Sequence, residues 1–226
     1  MQFKVVQVPI IEAKENSTNE IHHLSFDNNN LISRSVLEFD GNAKYFFITY
    51  LNRYTLSEQS LFLSKKLSVG SNKFKLDSFS IASAIDRDSL FILKYEFSLP
   101  DYAKKIDDEY YINLNLNRDF ELDRIDTSKV EFAIMNDYLF EKNTKVILDI
   151  PLGFSLKNIP TNNSFKHKDF GFELRYEVNE SNKQIILVKN IYINNLTIEQ
   201  SSFEEWNKMI DLIKTSYKQT VILKKI

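Results

Sequence analysis

Apolar and polar residues alternate with a period of two along most of this chain, and the period lengthens toward 3.6 in only two places. Ile21–Phe26 and Leu31–Phe39 read as strands joined by Asp27-Asn28-Asn29-Asn30, residue types that tolerate the left-handed backbone of a hairpin turn. Asp40-Gly41 closes the second strand. Between Asn42 and Leu67 the pattern becomes helical, with Tyr45, Phe46, Tyr50 and Leu51 on one face, although Phe47-Ile48-Thr49 are poor helix formers. A second helix begins at Thr55, which forms a capping box with Glu58. Leu56, Leu63 and Leu67 line its inner face and Gly70 is the expected stop. Phe74–Ile81 and Phe91–Phe97 return to alternation, with Asp86-Arg87-Asp88 as the turn between them. An extended lead-in over 1–19 is therefore expected to precede an α+β domain over 20–100, built as two strands, two helices and two strands.

Leu99-Pro100-Asp101 marks a boundary. Beyond it, strands are expected at Tyr110–Leu114, Val130–Ile134, Thr144–Ile150, Phe170–Val178, Gln184–Ile193 and Thr220–Leu223, while Asn162–Asp169 reads as a polar loop. Strands at this spacing predict an antiparallel β-sandwich over 101–226. One helix interrupts them, capped by Ser201 or Ser202 with Glu204 or Glu205 reaching back. Phe203, Trp206, Ile210, Ile213 and Tyr217 form its apolar stripe, and Lys214 and Lys218 suit its negative end. The expected class is mainly β, α+β, with one C-terminal helix.

Composition narrows the function. The 226 residues are 43% hydrophobic, enough for a substantial core, and the net charge is −2. Nucleic-acid binding calls for a basic face. Lys65-Lys66, Lys104-Lys105 and Lys224-Lys225 read instead as solvated surface, so no nucleic-acid partner is expected. The absence of cysteine excludes disulfides, thiolate metal sites and thiol nucleophiles. No stretch approaches the ~20 apolar residues of a membrane span, so no membrane insertion is expected. Met1–Pro9 lacks the features of a signal peptide; a cytoplasmic protein, or a leader or larger portion preceding this chain, would account for that.

The remaining chemistry is thin. His22 and His23 are neighbours in a strand and so face opposite ways, and His167 stands in the polar loop; none has metal-ligand spacing. Asp86 with Asp88, Asp107 with Asp108, and Asp123 with Asp126 are close in sequence, but glycosidase chemistry needs two carboxylates facing across a cleft. Asp27–Asn30 lacks the glycine of a calcium loop. Glycines at 41, 70, 153 and 171 cannot form a phosphate loop. Tyr110-Tyr111, Tyr45-Phe46-Phe47 and Trp206 are candidate stacking surfaces, although Trp206 lies on the inner stripe of its helix. No catalytic, metal or cofactor-binding residue is assigned, no cofactor is expected, and the ligand is left open.

Short segments carry a resemblance. Tyr95-Glu96-Phe97-Ser98-Leu99-Pro100-Asp101-Tyr102 followed by Tyr111-Ile112-Asn113 is similar to the stretch beyond the transglutaminase-like core of large bacterial proteins that carry DUF3857 and DUF3858 domains. Asp40-Gly41 before paired helices, Ser201–Trp206, Ile210-Asp211 and Gln219–Lys225 resemble the same region. The likeness spans most of residues 20–226, and the family's Cys-His-Asp core has no counterpart. It implies a non-catalytic accessory or interaction module, the C-terminal part of an exported protein, periplasmic or extracellular. Its implied partner is a transglutaminase-like catalytic domain in the same or another polypeptide. The alternative is a β-sandwich that binds carbohydrate or peptide through an exposed aromatic.

Overall fold

Alternating apolar residues set the strands, and polar residues at a few inward positions decide how the strands assemble. The computed structural model describes residues 10–27, 29–83, 89–181 and 183–226. After a single 3₁₀ turn come β1 (Ser17–Asp27), β2 (Asn30–Phe39), α1 (Gly41–Leu51), α2 (Leu56–Lys66), β3 (Lys75–Ser83) and β4 (Phe91–Leu99). There follow β5 (Lys104–Ile106), β6 (Glu109–Ile112), β7 (Ile134–Met135), β8 (Phe140–Asp149), β9 (Phe154–Asn158), β10 (Asn163–Lys166), β11 (Phe170–Asn179) and β12 (Gln184–Ile193). β13 (Thr197–Ile198), α3 (Phe203–Ser216) and β14 (Val221–Lys225) complete the order. The protein is mainly β, of the α+β class.

One eight-stranded sheet runs β10-β11-β12-β8-β1-β2-β4-β3, and a four-stranded sheet runs β5-β6-β14-β9. The larger sheet draws four strands from each side of residue 100, so the boundary expected there does not separate two sheets. Its junction is the pairing of β1 with β8, which is parallel where an antiparallel sandwich was expected. A side-chain ladder fixes that junction. Asn143 donates to Asn19 Oδ1 (3.0 Å) and Asn190 donates to Asn143 Oδ1 (2.8 Å), which ties β12, β8 and β1 together on the uncovered face. The ladder adds to a register that the buried apolar face already specifies.

The other face of the large sheet is the core. Leu31, Leu37 and Phe39 of β2, Phe91 to Leu99 at odd positions of β4, and Phe170, Phe172 and Leu174 of β11 are buried there. α1, α2, α3 and the small sheet cover it, and all contribute to one hydrophobic cluster. α3 lies against β10 and β11. Trp206 packs edge-on to Phe170 (5.2 Å) and Phe120 (5.4 Å), and its stripe Phe203, Trp206, Ile210, Ile213 and Tyr217 is buried as its spacing predicts. Gly171 of β11 is required by packing: a Cβ there would lie 2.5 Å from Tyr192 Oη and 2.6 Å from the Phe165 carbonyl.

Several expectations are corrected. Val130–Ala133 forms no strand; only Ile134–Met135 pairs, with β13, and Phe132 is exposed. β5, β9 and β10 appear where no strand or a loop was expected, because edge pairing rather than apolar alternation holds them. α2 ends at Lys66, short of Gly70, whose N–H instead donates to the Leu116 carbonyl (2.8 Å). Leu56 is exposed, leaving Leu63 and Leu67 as the inner face of the second helical segment. The capping box holds: the Thr55 N–H and hydroxyl both donate to Glu58. Asp40 caps α1 through the Gly41 N–H, and Gly41 has φ +62°, where a Cβ would land on the Asn16 side-chain oxygen. Ser202 makes no capping bond, because a 3₁₀ turn over Gln200–Ser202 leads into α3. Val178 shares the register of the buried Phe170, Phe172, Leu174 and Tyr176 but is more than a third exposed near the end of β11. Asp86-Arg87-Asp88 lies outside the described residues.

Candidate functional site

Ionisable groups concentrate in the middle of the covered sheet face. Pairing sets His22 of β1 opposite Ser35 of β2, and Ser35 opposite Tyr95 of β4. One step along, Glu20 lies opposite Thr144 of β8, and Thr144 opposite Lys189 of β12. All six are buried, on the face otherwise filled by leucine, isoleucine and phenylalanine. A polar stripe thus crosses five strands under the non-strand segment 113–121.

That segment explains part of the stripe. Backbone polar groups outside a sheet or helix still need partners when buried. Lys189 Nζ donates to the Asn117 carbonyl (2.6 Å) and stands 3.6 Å from Asp119 Oδ2 and 5.0 Å from the Tyr217 ring. Lys142 Nζ donates to Asp119 Oδ1 (2.8 Å), and Tyr217 Oη to the Asp119 carbonyl (3.0 Å). Asn115 donates to Tyr176 Oη (3.0 Å). Two lysines, two tyrosines and one carboxylate clamp the segment against the sheet.

The other half of the stripe is a chain of hydrogen bonds. Tyr95 Oη donates to Glu20 Oε1 (2.6 Å), Glu20 Oε2 stands 3.5 Å from His22 Nε2, and His22 Nδ1 bonds Ser35 Oγ (2.8 Å), which bonds Ser33 Oγ (2.8 Å). Burial pushes the Glu20 carboxyl up, but His22, Lys142 and the Tyr95 hydroxyl outweigh it and hold the acid at about 2. Burial pushes the Lys189 ammonium down to about 8, against the pull of Asp119. Burial and the Glu20 charge raise Tyr95 well above its ordinary value. Ser35, His22 and Glu20 follow the order of a nucleophile, base and orienting acid, yet Ser35 is only 3% exposed.

The residues singled out in the sequence fall elsewhere, with one exception. His22 enters the stripe while His23 faces solvent, as strand alternation required. His167 stacks on Phe170 (4.4 Å). Asp126 bonds Ser128 and Lys129, and Asp108 stands 3.8 Å from Lys224. Tyr110 is buried against Phe26 and Phe154, and Tyr111 donates to Glu109, so the pair makes no platform. Trp206 Nε1 donates to the Asp123 carbonyl (2.7 Å) from within the core. Among the described residues no group of three His, Asp or Glu is placed to hold a metal, and no helix is long and apolar enough to cross a membrane. Glu20, Lys142, Asp119 and Lys189 were not anticipated. The signal for Lys189 was in the sequence: Ile185, Leu187, Ile191 and Ile193 share its register.

Two concavities border these groups. A shallow one of about 400 Å³ lies over His23, Arg34, Lys94 and Glu96 on the uncovered face. A smaller pocket of about 130 Å³ reaches the stripe itself at Glu20 and Lys142, under α1.

Fold and site define a mainly β domain with buried, perturbed ionisable groups on the covered face of its large sheet. The chain belongs to the DUF3858 family, described as a domain of unknown function with a solved structure; the family's model matches residues 103–223, just over half of the chain. No curated protein matches it. β1 to β4 precede the matched residues, yet they complete the sheet to which β8 and β10 to β12 belong.

Proposed function

We propose that this chain is a non-catalytic accessory and interaction module of an exported bacterial protein, acting beside a transglutaminase-like catalytic domain in the same or another polypeptide. Two observations carry the reading: the serine, histidine and carboxylate that resemble a catalytic array are each no more than 5% exposed, and the large sheet leaves one face uncovered. The resemblance of Tyr95–Tyr102 and Ser201–Trp206 to post-core segments supplies the partner. Co-purification and cross-linking with the transglutaminase-like domain from the same source test it. A stable complex that protects residues of the uncovered face supports the module. Hydrolysis of peptide or glycan by this chain alone, lost on a single substitution, sinks it.

A second reading is carbohydrate or peptide binding. It draws on the helical pair, where Phe46, Tyr50 and Phe62 lie within 4.7 to 6.3 Å of one another and Lys66 Nζ stands 4.8 Å from the Phe46 ring. Tyr45 beside them is 75% exposed. A glycan and peptide array tests this, with Tyr45→Ala and Tyr50→Ala as controls; hits indifferent to both changes end it.

A further inference from the structure

We propose that the pocket between α1 and strands β1, β2 and β8 binds a free, small α-amino acid such as alanine or glycine. Its volume of about 130 Å³ is room for about four waters, which excludes sugars, nucleotides and peptides. One wall is apolar, made by Leu37, Phe39, Ala43 and Phe47, with the two rings 4.6 Å apart. The lining also carries one buried anion, Glu20, two cations, Lys142 from the strand beside it and Lys66 at the end of α2, and the polar Thr18 and Asn117.

Glu20 is the residue that points to a ligand. It is 5% exposed and carries one close donor, Tyr95 Oη on Oε1, while Oε2 stands 3.5 Å from His22 Nε2, beyond hydrogen-bond length. An ionised carboxylate accepts about four hydrogen bonds, so Glu20, which lines the pocket, keeps capacity for a ligand donor. A ligand ammonium fills that capacity and lowers the cost of the buried charge. Lys142 has three donors and commits one to Asp119, which leaves donors for a ligand carboxylate. A zwitterion satisfies both ends at once. A simple carboxylate leaves Glu20 without a cation from the ligand, and a simple amine would face both Lys142 and Lys66. The apolar wall accepts a methyl group, and the volume leaves little room beyond one.

Amide chemical-shift titration of the whole chain with alanine, glycine, acetate and methylammonium tests this. Alanine and glycine are expected to shift the signals of Glu20, Ala43 and Phe47 saturably, with acetate and methylammonium binding at least about tenfold more weakly. Glu20→Gln is expected to abolish alanine binding. Should that variant fail to fold, Ala43→Leu decides, because it fills the pocket and leaves every charge in place; it too is expected to abolish binding. No saturable shift with alanine, equal binding of acetate, or alanine binding that survives Ala43→Leu each overturns the proposal.

Discussion

Lys189 offers the sharpest test of how the core is built. Its side chain is 2% exposed, and burial holds its ammonium at about 8 against an ordinary 10.5. A shift of that size corresponds to about 3 kcal/mol that the folded state carries at pH 7 to keep the group charged. Lys189→Met keeps the volume and flexibility of the side chain and removes that burden. It also forfeits the bond to the Asn117 carbonyl and one of two cations beside Asp119, together about 1–2 kcal/mol. Lys142 still pairs with Asp119, so no carboxylate is orphaned. The expected net effect is a gain of about 1–2 kcal/mol at pH 7. The pH dependence gives an independent check. From about pH 8 to 10.5 the unfolded chain holds this proton while the folded chain has released it, so wild-type stability rises with pH, by about 2 kcal/mol between pH 7 and 9.5. Lys189→Met should lose that rise. Urea unfolding of both proteins at pH 7, 8 and 9.5 measures it. A flat wild-type profile with a variant less stable at pH 7 would refute the reasoning, and would mean that Asp119 and Asn117 fully compensate the buried charge.

Three further outcomes are expected. On the acid side, Glu20 held at about 2 rather than 4.5 contributes stability that is full above about pH 4.5 and lost toward pH 2; Glu20→Gln should reduce the loss seen in that window by acid titration of the circular dichroism signal. Gly171→Ala drives a methyl group into Tyr192 and the Phe165 carbonyl and should cost about 1–3 kcal/mol in chemical unfolding, whereas Gly153→Ala, with nothing near, should cost only what its φ of +82° imposes. Asn207 of α3 accepts from the Ile125 N–H (2.8 Å) and donates to the Ile125 carbonyl (2.9 Å), both buried. Asn207→Leu should therefore cost about 2–4 kcal/mol and expose residues 119–130 to limited proteolysis; an unchanged cleavage pattern counts against this anchoring role.

Legibility along the chain follows the range of the interactions. β12 is the clearest case: Gln184–Ile193 was expected as a strand and forms one of those bounds, its residues alternating between half-buried and buried. α3 is equally plain, because its stripe repeats at helical spacing, and the Thr55–Glu58 box declares the start of α2 within four residues. These are local rules, written in neighbouring side chains. Val130–Ala133 misleads for the same reason, since an apolar run makes a strand only when another strand lies beside it. The pairing of β1 with β8 joins side chains 124 residues apart, and no pattern within either strand names the other. The polar stripe depends on that pairing. Glu20 and Lys142 read singly as ordinary charges, and with Lys189 become a site only when β12, β8 and β1 lie side by side beneath residues 113–121. The sequence by itself determined which residues form strands and helices and which faces are apolar, because those preferences act over a few residues. Only the tertiary structure decided which strands meet, where the charges are buried and which pocket they line, because these rest on contacts that exist only once distant segments have closed on one another.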